Sequence, residues 1–404
     1  MTPAPDAPDA RVRLLWYLTS PDGPLPWEES GRWPTGFGHL RELARTIDRL
    51  GYYGALLGTG RDDGLTVTAA LLGDTERLRF LPAVYPGLHS PAKLAQIADT
   101  LQRFSGGRLL FNVVNGQDAT LAGYGVHYEH DERYDFSAEY WDAYRRVHRG
   151  EHQAYEGRYV RLAARPDDEG PLSPWPNDPV PVPLWGAGTS PAGVAHSVGL
   201  LDTYLSFADT PARLGEKFRR VGAEAARLGR TLNYGTRFQI IVRETEDEAW
   251  AAAEDLLHRT GHRTAVDLAG WNLRGRSLDD FRTEDPAVER RLAALRAGRL
   301  PEVRDLEVHP NVWTGPSLFG FDVVSPASGT YLVGSAENVA ARIREYRAAG
   351  VESFILSGFP LIEEAHRVAD LLFPLLDLDP ADPADHADPA APAATPAAAP
   401  ALHA

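Results

Sequence analysis

The chain has 404 residues, 43% of them hydrophobic, with 41 Lys and Arg against 56 Asp and Glu, a net charge of −15. That acidity argues against nucleic acid or an anionic membrane as the main partner, since both reward clustered positive charge. The absence of cysteine excludes disulfides, thiolate nucleophiles and Cys-based metal sites, and no apolar run approaches the ~20 residues of a membrane span. Residues 1–10 are mostly Pro, Ala and Asp and offer nothing to pack. The opening segment lacks a basic stretch before an apolar core, so no secretion signal and a cytoplasmic location are expected. The first strand is predicted over Val12–Leu18, followed by a helix over Gly38–Leu50. A strand at Gly54–Leu57 and another at Leu78–Val84 come next. Ser90 and Pro91 then supply an N-cap and a first helical residue for Pro91–Phe104. The alternation continues with a strand at Leu109–Val114 and a helix at Phe136–Arg149. An aperiodic insertion, Gly150–Pro181, precedes a strand at Val182–Trp185 and a helix at Pro191–Gly199. Further strands are predicted at Thr203–Phe207, Arg237–Val242 and Ser353–Leu356, and further helices at Pro211–Leu228, Glu246–His258, Ala336–Ala348 and Glu363–Leu376. Gly51, Gly199, Gly229 and Gly350 fit left-handed helix C-caps. A second aperiodic insertion spans His262–Ser328. Residues 379–404 are dominated by Ala and Pro and are expected to be disordered.

Short, continuous apolar strands alternating with amphipathic helices indicate a parallel sheet covered on both faces. Eight such alternations over residues 11–378 predict an α/β fold, a TIM (β/α)8 barrel with two long insertions. The competing doubly wound sheet lacks its glycine-rich dinucleotide turn after the first strand.

In such a barrel the chemistry sits at the C-terminal ends of the strands. Those positions carry Gly, Ser, Thr and Asn and few acid–base pairs, and no zinc-protease helix, nucleophile elbow or P-loop is present. Trp185-Gly-Ala-Gly-Thr-Ser190 runs from a strand into a helix. It reads either as a phosphate cradle or as a plain tight turn with an N-cap serine. A barrel with a phosphate seat and little acid–base chemistry of its own suggests a phosphorylated cofactor.

Several segments carry a family resemblance, among them Gly-Thr-Gly-Arg at 58–61, Ser-Gly-Gly-Arg-Leu-Leu-Phe-Asn-Val-Val at 105–114 and Glu-Arg-Tyr at 132–134. Gly-Thr-Ser at 188–190, His-Pro-Asn-Val-Trp at 309–313 and Leu-Ser-Gly-Phe-Pro at 356–360 continue it in the same order. The chain resembles the bacterial luciferase-like monooxygenases, and within them the alkanesulfonate monooxygenase branch. The resemblance implies a TIM barrel in a two-component system. A separate NAD(P)H-dependent flavin reductase supplies reduced FMN, which reacts with O2 through a flavin peroxide. It also implies a homodimer or homotetramer, no metal, and flavin contacts at Thr59, Asn112, Arg133, Tyr134, Gly188 and Ser190.

Arg237 stands at the family's active-site arginine, with Gln239 and Phe359 where the sulfonate enzymes carry His and Tyr. Their cysteine after the second strand is replaced by Asp62-Asp63. These departures point to a substrate larger and more apolar than a simple alkanesulfonate, with Trp16, Asp63, Phe207, Trp313 and Phe319 lining its pocket. Two other readings stay open. One is a deazaflavin-dependent oxidoreductase on the same barrel, the other a flavin-binding protein without catalysis. The second insertion is expected to act as a lid.

Overall fold

The computed structural model describes residues 11–18, 21–116, 118–151, 153–164, 180–272, 277–318 and 329–379. Eight parallel strands close into a ring. They are β1 (Arg13–Tyr17), β2 (Gly54–Leu57), β3 (Arg79–Val84) and β4 (Phe111–Val113), then β5 (Leu184–Gly186), β6 (Thr203–Phe207), β7 (Asn233–Arg243) and β8 (Ser353–Ser357). Each strand pairs with its predecessor, and β8 closes on β1 with Ile355 beside Leu15. This is the expected TIM barrel.

The helices are α1 (Phe37–Leu50), α2 (Gly64–Leu72), α3 (Pro91–Ser105), the short α4 (Asp118–Gly123), α5 (His130–His148) and α6 (Pro191–Leu200). They continue with α7 (Pro211–Arg227), α8 (Glu246–Asn272), α9 (Pro286–Arg296), α10 (Ala336–Ala348) and α11 (Leu361–Leu372). Among the described residues, no helix is long and apolar enough to cross a membrane. Ser90 caps α3 as its sequence predicts, its hydroxyl accepting the Lys93 N–H at 3.2 Å. Gly51, Gly229 and Gly350 take left-handed φ values of 88°, 69° and 103°. Gly199 does not: it lies inside α6. The unanticipated α2 is GLTVTAALL, so uniformly apolar or small that no polar stripe marks its period.

Strand register sorts the apolar side chains into two layers. Leu15, Leu56, Leu81, Leu110, Trp185 and Ile355 fill the lumen. Trp16, Ala55, Phe80, Phe111 and Leu356 point outward and pack under the helices. Full burial of each large side chain contributes about 1.5–3 kcal/mol relative to exposure. The barrel floor is pinned by the two ends of the described body. Val12 forms a parallel bridge with Leu378, and Arg13 Nε pairs with Asp379 Oδ2 at 2.7 Å.

β7 has eleven residues and outgrows the barrel. Its first half pairs with β6 and its last part with the accessory strand Tyr331–Ser335. Two short strands, Val312–Trp313 and Glu307–His309, extend that edge antiparallel. They form a second core with α8 and α9 around Trp250, Leu257, Leu306, Trp313 and Tyr331. The stretch read as an aperiodic second insertion therefore contains the end of α8, broken at Gly261 (φ 74°), and α9. Residues 165–179 and 319–328, and both chain ends, lie outside the described residues.

Candidate active site

The β5–α6 turn is tightly constrained backbone at the barrel mouth. Ser190 is the N-cap of α6, its Oγ accepting the Gly193 N–H at 3.0 Å, with Pro191 as the first helical residue. That geometry leaves the serine's own proton to donate to an anion lying on the helix N-terminus. A Cβ on Gly188 would overlap the Gly193 carbonyl, 2.6 Å from its carbon. One on Gly193 would stand 3.0 Å from Tyr134 Oη and 3.1 Å from Ser190 Oγ. Gly188, Ser190, Gly193 and Tyr134 are thus gathered into one small cradle.

The surroundings hold the cradle still. Tyr204 Oη donates to the Gly188 carbonyl at 2.5 Å, and burial pushes that phenol up to about 12, so it remains a donor. The Tyr134 ring packs on His196 at 5.6 Å. His196 Nε2 lies 2.9 Å from Ser137 Oγ, and burial holds its imidazole down to about 4, neutral at pH 7. Arg133 precedes Tyr134 in the first turn of α5 and is 5% exposed.

In the ring order, β8 and β1 stand across the lumen from β4 and β5. From β7, the Arg237 guanidinium lies over the ring of Tyr17 on β1 at 4.4 Å from its centroid, a cation–π geometry. Arg237, Gln239, Phe207, Ala208 and Thr330 line one pocket. Gln239 is buried, and its Oε1 accepts from Ser357 Oγ at 2.8 Å, which fixes the amide's orientation. On β4, Asn112 faces the lumen beside Ala83 and Trp185. The Thr59 and Tyr85 hydroxyls hydrogen-bond each other at the end of β2. Asn115, just past β4, buries its Oδ1 with no hydrogen-bond partner among the described residues.

The structure thus places Gly188, Ser190 and Tyr134 together, with Arg133 adjoining on the same helix. It places Arg237, Gln239 and Phe207 together on β7 and β6, the strands next along the ring from β5, while Asn112 lies on β4, Thr59 just past β2, and Phe359 sits at the β8 rim. Two expectations for the pocket, Trp16 and Trp313, are corrected, and the structure gives a third residue, Asp63, a helix-capping place. Trp16 is fully buried on the outer face of β1, packed on Tyr52 at 5.4 Å, because its register partners Ala55 and Leu356 also face outward. Trp313 lies in the second core, its Nε1 donating to the Val303 carbonyl at 3.0 Å. Asp63 is exposed and caps α2, its Oδ1 accepting the Thr66 N–H at 2.8 Å and the Thr66 hydroxyl at 2.7 Å. Phe319 lies outside the described residues.

Sequence reading missed Tyr17, Gly193 and Trp27. Alternation from the lumen residue Leu15 points to Tyr17, and the spacing from Ser190 points to Gly193. No local signal marks Trp27, whose ring meets Phe359 edge-on at 6.3 Å.

A phosphate-bearing ring cofactor fits this mouth. The glycine cradle and the Ser190 hydroxyl suit its phosphate, the neighbouring guanidinium suits the negative charge, and the orphan Asn115 oxygen offers a hydrogen-bond acceptor. The luciferase-like monooxygenase family matches residues 18–353. A solved riboflavin lyase, in complex with modified FMN and riboflavin, superposes with a TM-score of 0.67 at 18% identity, covering 90% of this chain and 91% of that one. EDTA monooxygenase from Chelativorans sp. BNC1 gives 0.66 at 18% identity, over 92% and 96%. A coenzyme F420-dependent tetrahydromethanopterin reductase from Methanopyrus kandleri gives 0.59 at 15%, over 90% and 99%. At these identities the likeness to the solved structures is one of fold.

Proposed function

We propose that this chain, which belongs to the luciferase-like monooxygenase family, binds reduced FMN delivered by a separate NAD(P)H-dependent reductase and uses O2 to oxygenate a small organic anion. The observation that carries the reading is the cradle of Gly188, Ser190, Gly193 and Tyr134 at the α6 N-terminus, in the same barrel as the Arg237 guanidinium over the Tyr17 ring. When bound, reduced FMN supplies the electrons that let one oxygen atom of O2 pass to the substrate.

The protein's own part is binding, orientation and exclusion of water. Ser190 and the α6 N–H groups hold the cofactor phosphate, with Arg133 and Tyr134 beside them. Asn112 and Thr59 lie along the path of the ring system. Arg237 holds the substrate's negative group, its guanidinium kept over the Tyr17 ring, and Gln239, oriented by Ser357, contributes a polar contact beside it. Phe207 and Phe359 supply apolar walls that exclude water from the reacting centre.

The pocket departs from an alkanesulfonate site. Phe359 has no phenol to donate, and Gln239 carries no charge. The substrate is accordingly more apolar than a short alkanesulfonate, though oxygenation at carbon or sulfur, including C–S cleavage, remains the reaction class.

The test is a coupled assay with reduced FMN against sulfonates, sulfones, thioethers and ketones, run under isotopically labelled dioxygen and read by mass spectrometry. One labelled oxygen in a product, lost in Arg237→Ala, is the expected result. No binding of reduced FMN, or tighter binding of a reduced deazaflavin with hydride transfer and no oxygen uptake, would overturn it. The deazaflavin outcome is built into the test because an F420-dependent enzyme shares this fold.

A further inference from the structure

Tyr17 ends β1 at the barrel mouth, next to Leu56 of β2. Its ring is half-buried and packs on the lumen cluster that includes Leu15, Leu56 and Ile355. The backbone that carries it is held at two points. The Leu18 N–H donates to the Leu56 carbonyl at 2.9 Å. Further on, buried Asp22 anchors the chain to the start of α11, its Oδ1 accepting the Leu361 N–H at 2.9 Å.

The face of the ring and its phenol tip meet different groups. The Arg237 guanidinium lies over the face, 4.4 Å from the centroid, where the electron-rich π-system favours a cation. The tip rests on Gly58, just past β2. A Cβ at that position would overlap Tyr17 Oη and stand 3.0 Å from its Cζ, so the tip is admitted because residue 58 has no side chain. The nearby hydroxyls are engaged. Those of Thr59 and Tyr85 bond each other, and burial raises the Tyr85 pKa, so that phenol stays protonated. Tyr17 Oη, by contrast, makes no hydrogen bond among the described residues. A phenol can both donate and accept, so a ligand oxygen lying beside the guanidinium can meet it.

Resting on the role proposed above for Arg237, we propose that Tyr17, seated on Gly58, is a specificity-determining residue of the substrate site. Its ring carries the guanidinium that holds the anionic group, and its hydroxyl selects substrates with a hydrogen-bonding oxygen a few bonds from that group. Hydroxy acids belong to this class, whereas a simple fatty acid meets the guanidinium alone. The two tasks fall to different parts of one side chain, so substitution separates them.

The full-length protein loaded with FMN is titrated calorimetrically with octanoate, 2-hydroxyoctanoate and 3-hydroxyoctanoate. Wild type is expected to bind at least one hydroxy acid about fivefold more tightly than octanoate, the worth of one net hydrogen bond. Tyr17→Phe keeps the platform, and should erase that preference with little change for octanoate. Tyr17→Leu should erase it and also weaken octanoate about fivefold, through the lost cation–π contact. Gly58→Ala, whose methyl displaces the phenol tip, should lower the ratio as well. A merely structural role for Tyr17 would weaken all three anions together and leave the ratio intact. Equal binding of the three by wild type, or a preference that survives Tyr17→Phe, overturns the selection by the hydroxyl. Octanoate affinity unchanged in Tyr17→Leu overturns the platform. Should Tyr17→Leu not fold, Tyr17→Phe and Gly58→Ala decide. Failure of FMN to bind in a fluorescence titration, or octanoate affinity unchanged in Arg237→Ala, is read separately and overturns the proposed function, and this inference with it.

Discussion

The phenol of Tyr204 on β6 donates to the carbonyl of Gly188, 16 residues earlier, at 2.5 Å. This bond crosses from one strand to the turn after its neighbour and fixes the peptide that approaches Gly193 most closely.

Tyr204→Phe deletes that donor and leaves a buried carbonyl short of a partner. The expected cost is about 1 kcal/mol, which read on the cofactor is roughly a fivefold weaker FMN affinity by fluorescence titration. Because burial holds the phenol near 12, the wild-type advantage should be constant from pH 6 to 9.

Two glycines of the same turn and helix should respond in opposite ways to alanine. Gly188→Ala drives a methyl into the Gly193 carbonyl, and about 1–3 kcal/mol of stability should be lost together with flavin binding. Gly199→Ala, with nothing within 4 Å of its added methyl and an ordinary φ, should gain about 0.4–1 kcal/mol in urea unfolding.

His196 makes stability depend on acid. Burial lowers its pKa from the ordinary 6.5 to about 4, so between those values the unfolded chain binds the proton and the folded chain does not. The contribution is full above about pH 6.5 and falls as pH drops toward 4, by up to about 3 kcal/mol. Urea unfolding at pH 7.5 and pH 5 should show the fall, and His196→Gln should flatten it. A residual slope is expected from His148, which burial shifts in the same direction.

Glu246 joins the second core to the barrel. Its carboxylate accepts from Trp250 Nε1, Asn311 Nδ2, Asn338 Nδ2 and the Ser335 N–H, each at 2.8 Å. Burial alone raises its pKa, yet these bonds outweigh that and hold it below the usual carboxylate range. Glu246→Ala removes the acceptor of four donors, of which Asn311 Nδ2 keeps the Val333 carbonyl and exposed Asn338 can turn to water, and should cost about 1–3 kcal/mol, seen as a lower urea midpoint. Barrel far-UV ellipticity in the folded baseline should be little changed.

The strand–helix alternation was legible because β2 and β6 are short apolar runs bounded by turn residues, and the phosphate turn because Ser190-Pro191 is a local cap signal. Trp16 and Trp185 show where such reading stops. Both sit in continuous apolar runs, and when neighbours on either side are apolar, alternation does not say which tryptophan faces the lumen; the register across the sheet does. Trp313 misleads for a related reason: a second core needs large aromatics as much as a pocket does. Asp63 was legible as a charge after a strand, but its cap role follows from α2, which has no periodic signal. Asp22 lay beyond sequence reading, because its partner Leu361 is 339 residues away.

The floor bridge between Val12 and Leu378 brings both chain ends of the barrel side by side, at the face turned away from the flavin cradle. A surface tether or a fused reductase attached at either end would therefore leave the entrance clear. A circular permutant joined through a short linker there, and reopened elsewhere in an exposed loop, would keep every strand neighbour it now has.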